Sequence, residues 1–113
     1  MSARNPLLAA PPYPVQQALE RLGKNLRTAR LRRNLSTEEA AAKIGTSRRV
    51  VHDAESGKPS TGIAVYLALL WAYGLIDQME PVADPLKDDE GLTLARARER
   101  THARRTEALD NDF

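Results

Sequence analysis

Between Val15 and Arg33 the apolar residues Val15, Ala18, Leu19, Leu22, Leu26 and Ala29 return every three or four positions. That is the period of a helix with one buried face, and it predicts a helix over 15–33, weakened slightly by Gly23. At 36-STEE-39 the Ser36 hydroxyl can cap a new helix while Glu39, three positions on, reaches back to the Ser36 backbone. The resulting helix, 37–44, is short and rich in alanine, and Gly45 permits the sharp turn that follows. Ser47 can cap a third helix, which runs to about Ser56 and stops at Gly57. On it Val51 and Ala54 point inward with Val50 at the margin, while Arg48, Arg49, His52 and Asp53 point outward or flank that face.

A fourth helix is predicted over 63–73 and stopped by Gly74. Its sequence, 63-IAVYLALLWAY-73, is apolar almost all round, which suits the centre of a core or a surface shared with a second copy. A brief fifth helix, 75–79, ends before Pro81. No alternating run predicts a sheet, and there is no internal repeat. From Pro81 the character changes: 84-DPLKDDEG-91 is acidic and contains proline, as a linker would, and 92–113 has helical propensity but few large apolar side chains. That tail is either a helix completed by a partner or a disordered solubilising segment. Residues 1–14, with Pro11, Pro12 and Pro14 against helix formation, are read as a flexible arm. The expected division is an arm over 1–14, one domain over 15–82 and an acidic linker with an Arg-rich tail over 83–113.

Charge sharpens this picture. The chain of 113 residues carries a net charge of +2, but the two halves differ. Residues 1–58 hold 11 Lys and Arg against 5 Asp and Glu, a balance of +6, and residues 59–113 hold 6 against 10, a balance of −4. A basic half suits a polyanionic partner. Cysteine is absent, which excludes disulfides, thiolate nucleophiles and thiolate metal sites and fits a reducing cytoplasm. No apolar run reaches the roughly 20 residues of a membrane span, and the N-terminal apolar run is too short for a signal peptide.

Two short helices joined by a tight glycine turn, the second presenting long polar side chains, form a helix-turn-helix. Its second helix can enter a DNA major groove about 12 Å wide, reading base edges with its outward side and anchoring itself with its inward side. The residues Ala41, Gly45, Ser47, Val51, Glu55 and Gly57 stand at the spacings of the Cro/C1-type (Xre) family, which residues 15–76 resemble; Ala40, Thr46 and Thr37 stand where Leu, Val or Ile, and Gln are usual in it. The resemblance implies an all-α, five-helix, lambda-repressor-like domain. It also implies that Arg48, Arg49 and Asp53 lie at the base-reading surface with His52 beside them. Thr37, Ser47 and Lys58 would then approach phosphates, and Arg30 would pair with Glu55. The side-chain chemistry agrees, since arginine bridges guanine O6 and N7 and aspartate accepts from cytosine N4. Asp53 has a plainer reading as an intrahelical partner of Arg49, four residues earlier.

Modules of this size usually bind paired half-sites as dimers. The apolar surplus of 66–75 is the candidate homodimer surface, with Tyr66, Leu70, Trp71 and Tyr73 as its residues; the other reading has Leu67, Leu70 and Trp71 filling the monomer core and leaving no patch. The stretches 19-LERLGKNLRTARLRRNLS-36 and 66-YLALLWAYGLIDQMEPVAD-84, followed by an Arg-rich tail, resemble HipB-like antitoxins encoded beside HipA-type kinases. That implies a repressor which dimerises on operator DNA and neutralises a Ser/Thr kinase toxin; the alternative is a stand-alone regulator of phage-repressor type. No cofactor, metal or membrane partner is expected. The dipeptide His52-Asp53 also occurs in metal-dependent phosphohydrolases, but those need further His and Asp ligands, and the other histidine is His102 in the tail. With no Gly-rich phosphate loop either, the chain is not expected to be an enzyme.

Overall fold

The computed structural model describes residues 5–111. Six α-helices occur among them: α1 (Pro6–Ala9), α2 (Tyr13–Arg32), α3 (Thr37–Ile44), α4 (Arg48–Glu55), α5 (Ile63–Ala72) and α6 (Asp89–Asn111), with 3-10 turns at Ile76–Met79 and Pro85–Lys87. No strand occurs among the described residues. Two compact units divide the chain, Met1–Asp77 and Gln78–Phe113.

In the first unit, α2 begins two residues earlier than the apolar period predicts, because Pro14 falls in its first turn. A proline is tolerated there, where its missing N–H has no helical acceptor to lose. The short α1 lies within the stretch read as an arm and is capped by the Asn5 side chain, which accepts from the Leu7 amide at 3.0 Å. Residues 1–4 of that arm fall outside the described residues. Helix α3 occupies the predicted span, and its capping box is complete: the Glu39 amide donates to Ser36 Oγ at 3.0 Å and the Ser36 amide to Glu39 Oε1 at 3.1 Å. That second bond holds the Glu39 carboxyl below its ordinary pKa. The predicted fifth helix is only a 3-10 turn over Ile76–Met79.

All four helices α2 to α5 end in the same way. A left-handed residue closes each one (Asn34, Gly45, Gly57, Gly74), and its amide and the next fold back onto the last carbonyls, as in Leu35 N to Arg30 O and Thr46 N to Ala41 O. The sharp stops let short helices stack. α3 and α2 pack on α4, and α3 and α4 pack on α5.

The core they enclose is built from Leu26, Ala29, Ala40, Ala41, Val51, Ala54, Tyr66, Leu69, Leu70 and Tyr73. Four of these are alanines, so helix axes approach closely, while Leu26 and Leu69 each contribute about 1.5–3 kcal/mol of burial. Two expectations are corrected here. The first half of α2 does not bury its apolar face: Val15 and Ala18 are exposed, and Leu19 and Leu22 are only half-buried. The reason is length, since a 20-residue helix overhangs the eight-residue helices packed against it. Tyr66, Leu70 and Tyr73 fill this core and are closed to a partner, leaving Trp71 at 64% exposure as the one candidate of the four on the surface.

In the second unit, the segment read as a linker contains the 3-10 turn Pro85–Lys87, capped by Asp84, which accepts from the Leu86 amide at 2.9 Å. α6 then starts at Asp89 and continues through most of the tail.

Candidate nucleic-acid interface

α4 is one-sided for reasons that can be read residue by residue. The Ser47 hydroxyl starts the helix by accepting from the Val50 amide at 3.4 Å. Val51 and Ala54, three apart, are both 0% exposed and fix the helix against α2 and α3. Arg48, Arg49 and His52 are then forced onto the opposite, exposed side. Together with Thr37 at the start of α3 they line a surface concavity of about 540 Å³. With its side chains a helix is about 10–12 Å across, which fits a major groove about 12 Å wide.

The other end of α4 is clamped. Arg30, buried within α2, donates from Nε to Glu55 Oε2 at 2.7 Å and from Nη2 to Glu55 Oε1 at 3.0 Å, while its Nη1 donates to the Leu35 carbonyl at 2.8 Å. The side chains of the pair are only 9% and 6% exposed. The hydrogen bonds and charge of Glu55 raise the Arg30 pKa against the opposing effect of burial, so the guanidinium stays charged. One guanidinium thus ties α2, the end of α4 and the turn leading into α3. Arg33 adds a second tie, donating to the Tyr73 carbonyl at 3.1 Å and lying over the Tyr73 ring at 5.7 Å from its centroid. Burial raises the Tyr73 hydroxyl pKa.

The remaining site residues are distributed unevenly. Ser47 spends its hydroxyl on the α4 cap. Asp53 is half-buried at the edge of α4, and its carboxylate lies 3.7 Å from Lys58 Nζ. The pairing of Asp53 with Arg49 is therefore corrected: among the described residues the partner is Lys58, which the turn at Gly57 carries back over the end of α4 by bonding its amide to the Asp53 carbonyl at 3.1 Å. Sequence reasoning missed Glu38, whose carboxylate stands 3.5 Å from Arg48 Nη1. Both side chains are largely exposed, so the pair contributes little to stability, but it places an acid beside a base-reading candidate. Sequence reasoning also passed over Arg33. No local pattern marks either residue, because Glu38 and Arg48 lie on different helices and Tyr73 is 40 residues from Arg33.

Among the described residues no group of three or more His, Cys, Asp or Glu side chains could hold a metal ion, and no helix is long and apolar enough to cross a membrane. What the arrangement offers is a short, rigidly anchored helix with two arginines and a histidine facing outward. A family model described as a helix-turn-helix domain matches residues 21–81. The match spans more than half of the chain, and the chain belongs to this family of helix-turn-helix domains. No curated protein and no solved structure matches it.

Proposed function

We propose that the protein is a sequence-specific transcriptional repressor that reads operator DNA with α4. The carrying observation is the division of that one short helix: Val51 and Ala54 are wholly buried while Arg48, Arg49 and His52 are exposed beside Thr37. In this reading Arg48 and Arg49 contact guanine edges, Asp53 sits at the margin of the base-reading surface, and Thr37, Ser47 and Lys58 face phosphates. Fluorescence anisotropy on the DNA upstream of its own gene and on a scrambled duplex tests the reading. The upstream duplex should bind at least about a thousandfold more tightly. Arg48→Ala or Arg49→Ala should each remove about 1–3 kcal/mol of that discrimination with the melting temperature unchanged. Equal, weak binding of both duplexes would overturn the assignment.

The repressor acts as a homodimer. On α5, Ile63, Leu67 and Trp71 recur every four residues, and Ile63 and Trp71 are 63% and 64% exposed, an apolar stripe that suits a symmetric contact. Trp71→Glu should convert the dimer to a monomer in sedimentation velocity and weaken binding to a two-half-site duplex at least about tenfold. A dimer that survives the change would move the contact to the exposed apolar face of α2 formed by Pro14, Val15, Ala18, Leu19 and Leu22.

The resemblance of 19–36 and 66–84 to HipB-like antitoxins supports a second role, autoregulation of an operon shared with a HipA-type kinase that this protein neutralises. Co-purification with the product of the adjacent reading frame tests it. The lack of a kinase-like neighbour would leave the stand-alone regulator.

A further inference from the structure

α6 has no packing role that explains it. It is 23 residues long, none of residues 89–109 is buried, and no ion pair occurs along it among the described residues. A helix that is polar all round and lacks such pairs is not stable by itself, which points to stabilisation by something outside the chain.

Its sequence specifies what that is. The segment 95-ARARERTHARRTEA-108 contains five arginines against two glutamates, one histidine and no large apolar residue. A helix that docks in a protein groove needs large anchors at three- and four-residue spacing, and Leu92, Leu94 and Leu109 all lie outside this segment. Arg96, Arg100 and Arg104 follow one another every four residues, rising about 6 Å and drifting about 40° per step. Arg98 and Arg105 lie on a second face, about 150° from the centre of the first. Between the two faces stand Ala95, Ala97, Thr101, Ala103 and Thr106, together with His102 and one carboxylate, Glu99. The hydroxyls of Thr101 and Thr106 are spent on their own helix, donating to the carbonyls of Ala97 and His102 at 3.0 and 3.1 Å.

Guanidinium groups on two sides of a slender helix, with mostly small side chains and only one carboxylate between them, suit a trough with negative walls on both sides. A flat acidic protein surface would engage only one face. A duplex groove, walled by the phosphates of two strands, engages both. We propose that α6 is a second DNA-binding element, laid in a groove of the duplex and gripping phosphates of both strands without reading sequence. The inference rests on the DNA-binding reading of α4 only in that both elements act on one duplex. Covalent linkage to the helix-turn-helix unit raises the effective concentration of α6 at that duplex. Acidic residues at 88–90 and at 107, 110 and 112 flank this stretch, and the contact falls on 96–105, the ten residues that hold the five arginines.

The test uses the full chain and two sets of substitutions, Arg96→Gln with Arg100→Gln and Arg104→Gln, and Arg98→Gln with Arg105→Gln. Anisotropy is read on upstream and scrambled duplexes between about 50 and 200 mM salt. Each phosphate contact contributes about 0.9 to the slope of log affinity against log salt, so the triple variant should flatten it by roughly 2.7 and the double variant by roughly 1.8, on both duplexes alike. Far-UV circular dichroism of the wild type should show helix gained on adding duplex, a gain reduced in both variants. Unchanged slopes overturn the proposal, and helix gained with poly-glutamate instead of duplex would assign α6 to an acidic protein and overturn it too. A wild type that binds both duplexes alike, yet loses slope in these variants, would sink the reading of α4 and sustain this one.

Discussion

Glu55→Ala is expected to destabilise the helix-turn-helix unit by about 3–5 kcal/mol, the range for breaking a buried ion pair by removing one partner. Small domains are stable by only about 5–15 kcal/mol in total, so the variant should sit near its unfolding transition at physiological temperature. Without the carboxylate, the Arg30 guanidinium keeps a single acceptor, the Leu35 carbonyl, and remains a cation with most of its surface shut away from water. It cannot escape by neutralising, because arginine stays protonated. Urea unfolding followed by circular dichroism gives the number. Glu55→Gln, which retains an acceptor but no charge, should fall between the two. The double change Arg30→Met with Glu55→Leu should recover most of the loss, since well-packed apolar residues often replace a buried pair without penalty. A Glu55→Ala variant within about 1 kcal/mol of wild type, below the usual range for such pairs, would mean that the pair does not hold α4.

The sequence declares local chemistry and conceals contacts between distant segments. The α3 capping box, the left-handed turn at Gly45 and the Ser47 cap are each written within a few consecutive residues, and all three appear in the structure. Val51 and Ala54 are legible because a short helix with charge on one side leaves few other positions to bury. Helix α5 has no such contrast. Apolar all round, it could not reveal which of Tyr66, Leu70, Trp71 and Tyr73 faces inward, and only the packing of α3 and α4 on it decides. Asp53 misleads for a related reason. Four-residue spacing suggests Arg49, but the chain reverses at Gly57 and brings Lys58 back to it. The length of α6 escapes because no buried face writes a period into it.

Gly23 is the most misleading residue of all, and its substitution is the second large effect expected. Taken locally, glycine within a helix is a weakness, and Gly23→Ala should stabilise α2 by about 0.8–1.0 kcal/mol. The crossing of α2 with α4 reverses the sign. A Cβ at position 23 would lie 2.5 Å from the Glu55 carbonyl oxygen, 2.7 Å from that of Ala54 and 2.8 Å from the Glu55 carbonyl carbon. These are backbone atoms in the last turn of α4, so no side-chain rotation relieves the clash. Overpacking typically costs about 1–3 kcal/mol even where side chains can adjust, and a main-chain obstacle puts this site at the upper end or beyond, so that a net loss of about 2 kcal/mol remains after the gain in propensity. The relief available is for α4 to move away from α2, which strains the Arg30–Glu55 clamp and shifts the helix carrying Arg48 and Arg49. Gly23→Ala should therefore lower the melting temperature. At temperatures where it is still folded, it should also lose preference for upstream over scrambled DNA, although residue 23 is buried and touches no base. A variant that melts higher than wild type would show that α2 and α4 are not in contact at this point. One that melts lower but keeps its full preference would show that the position of α4 does not depend on this crossing.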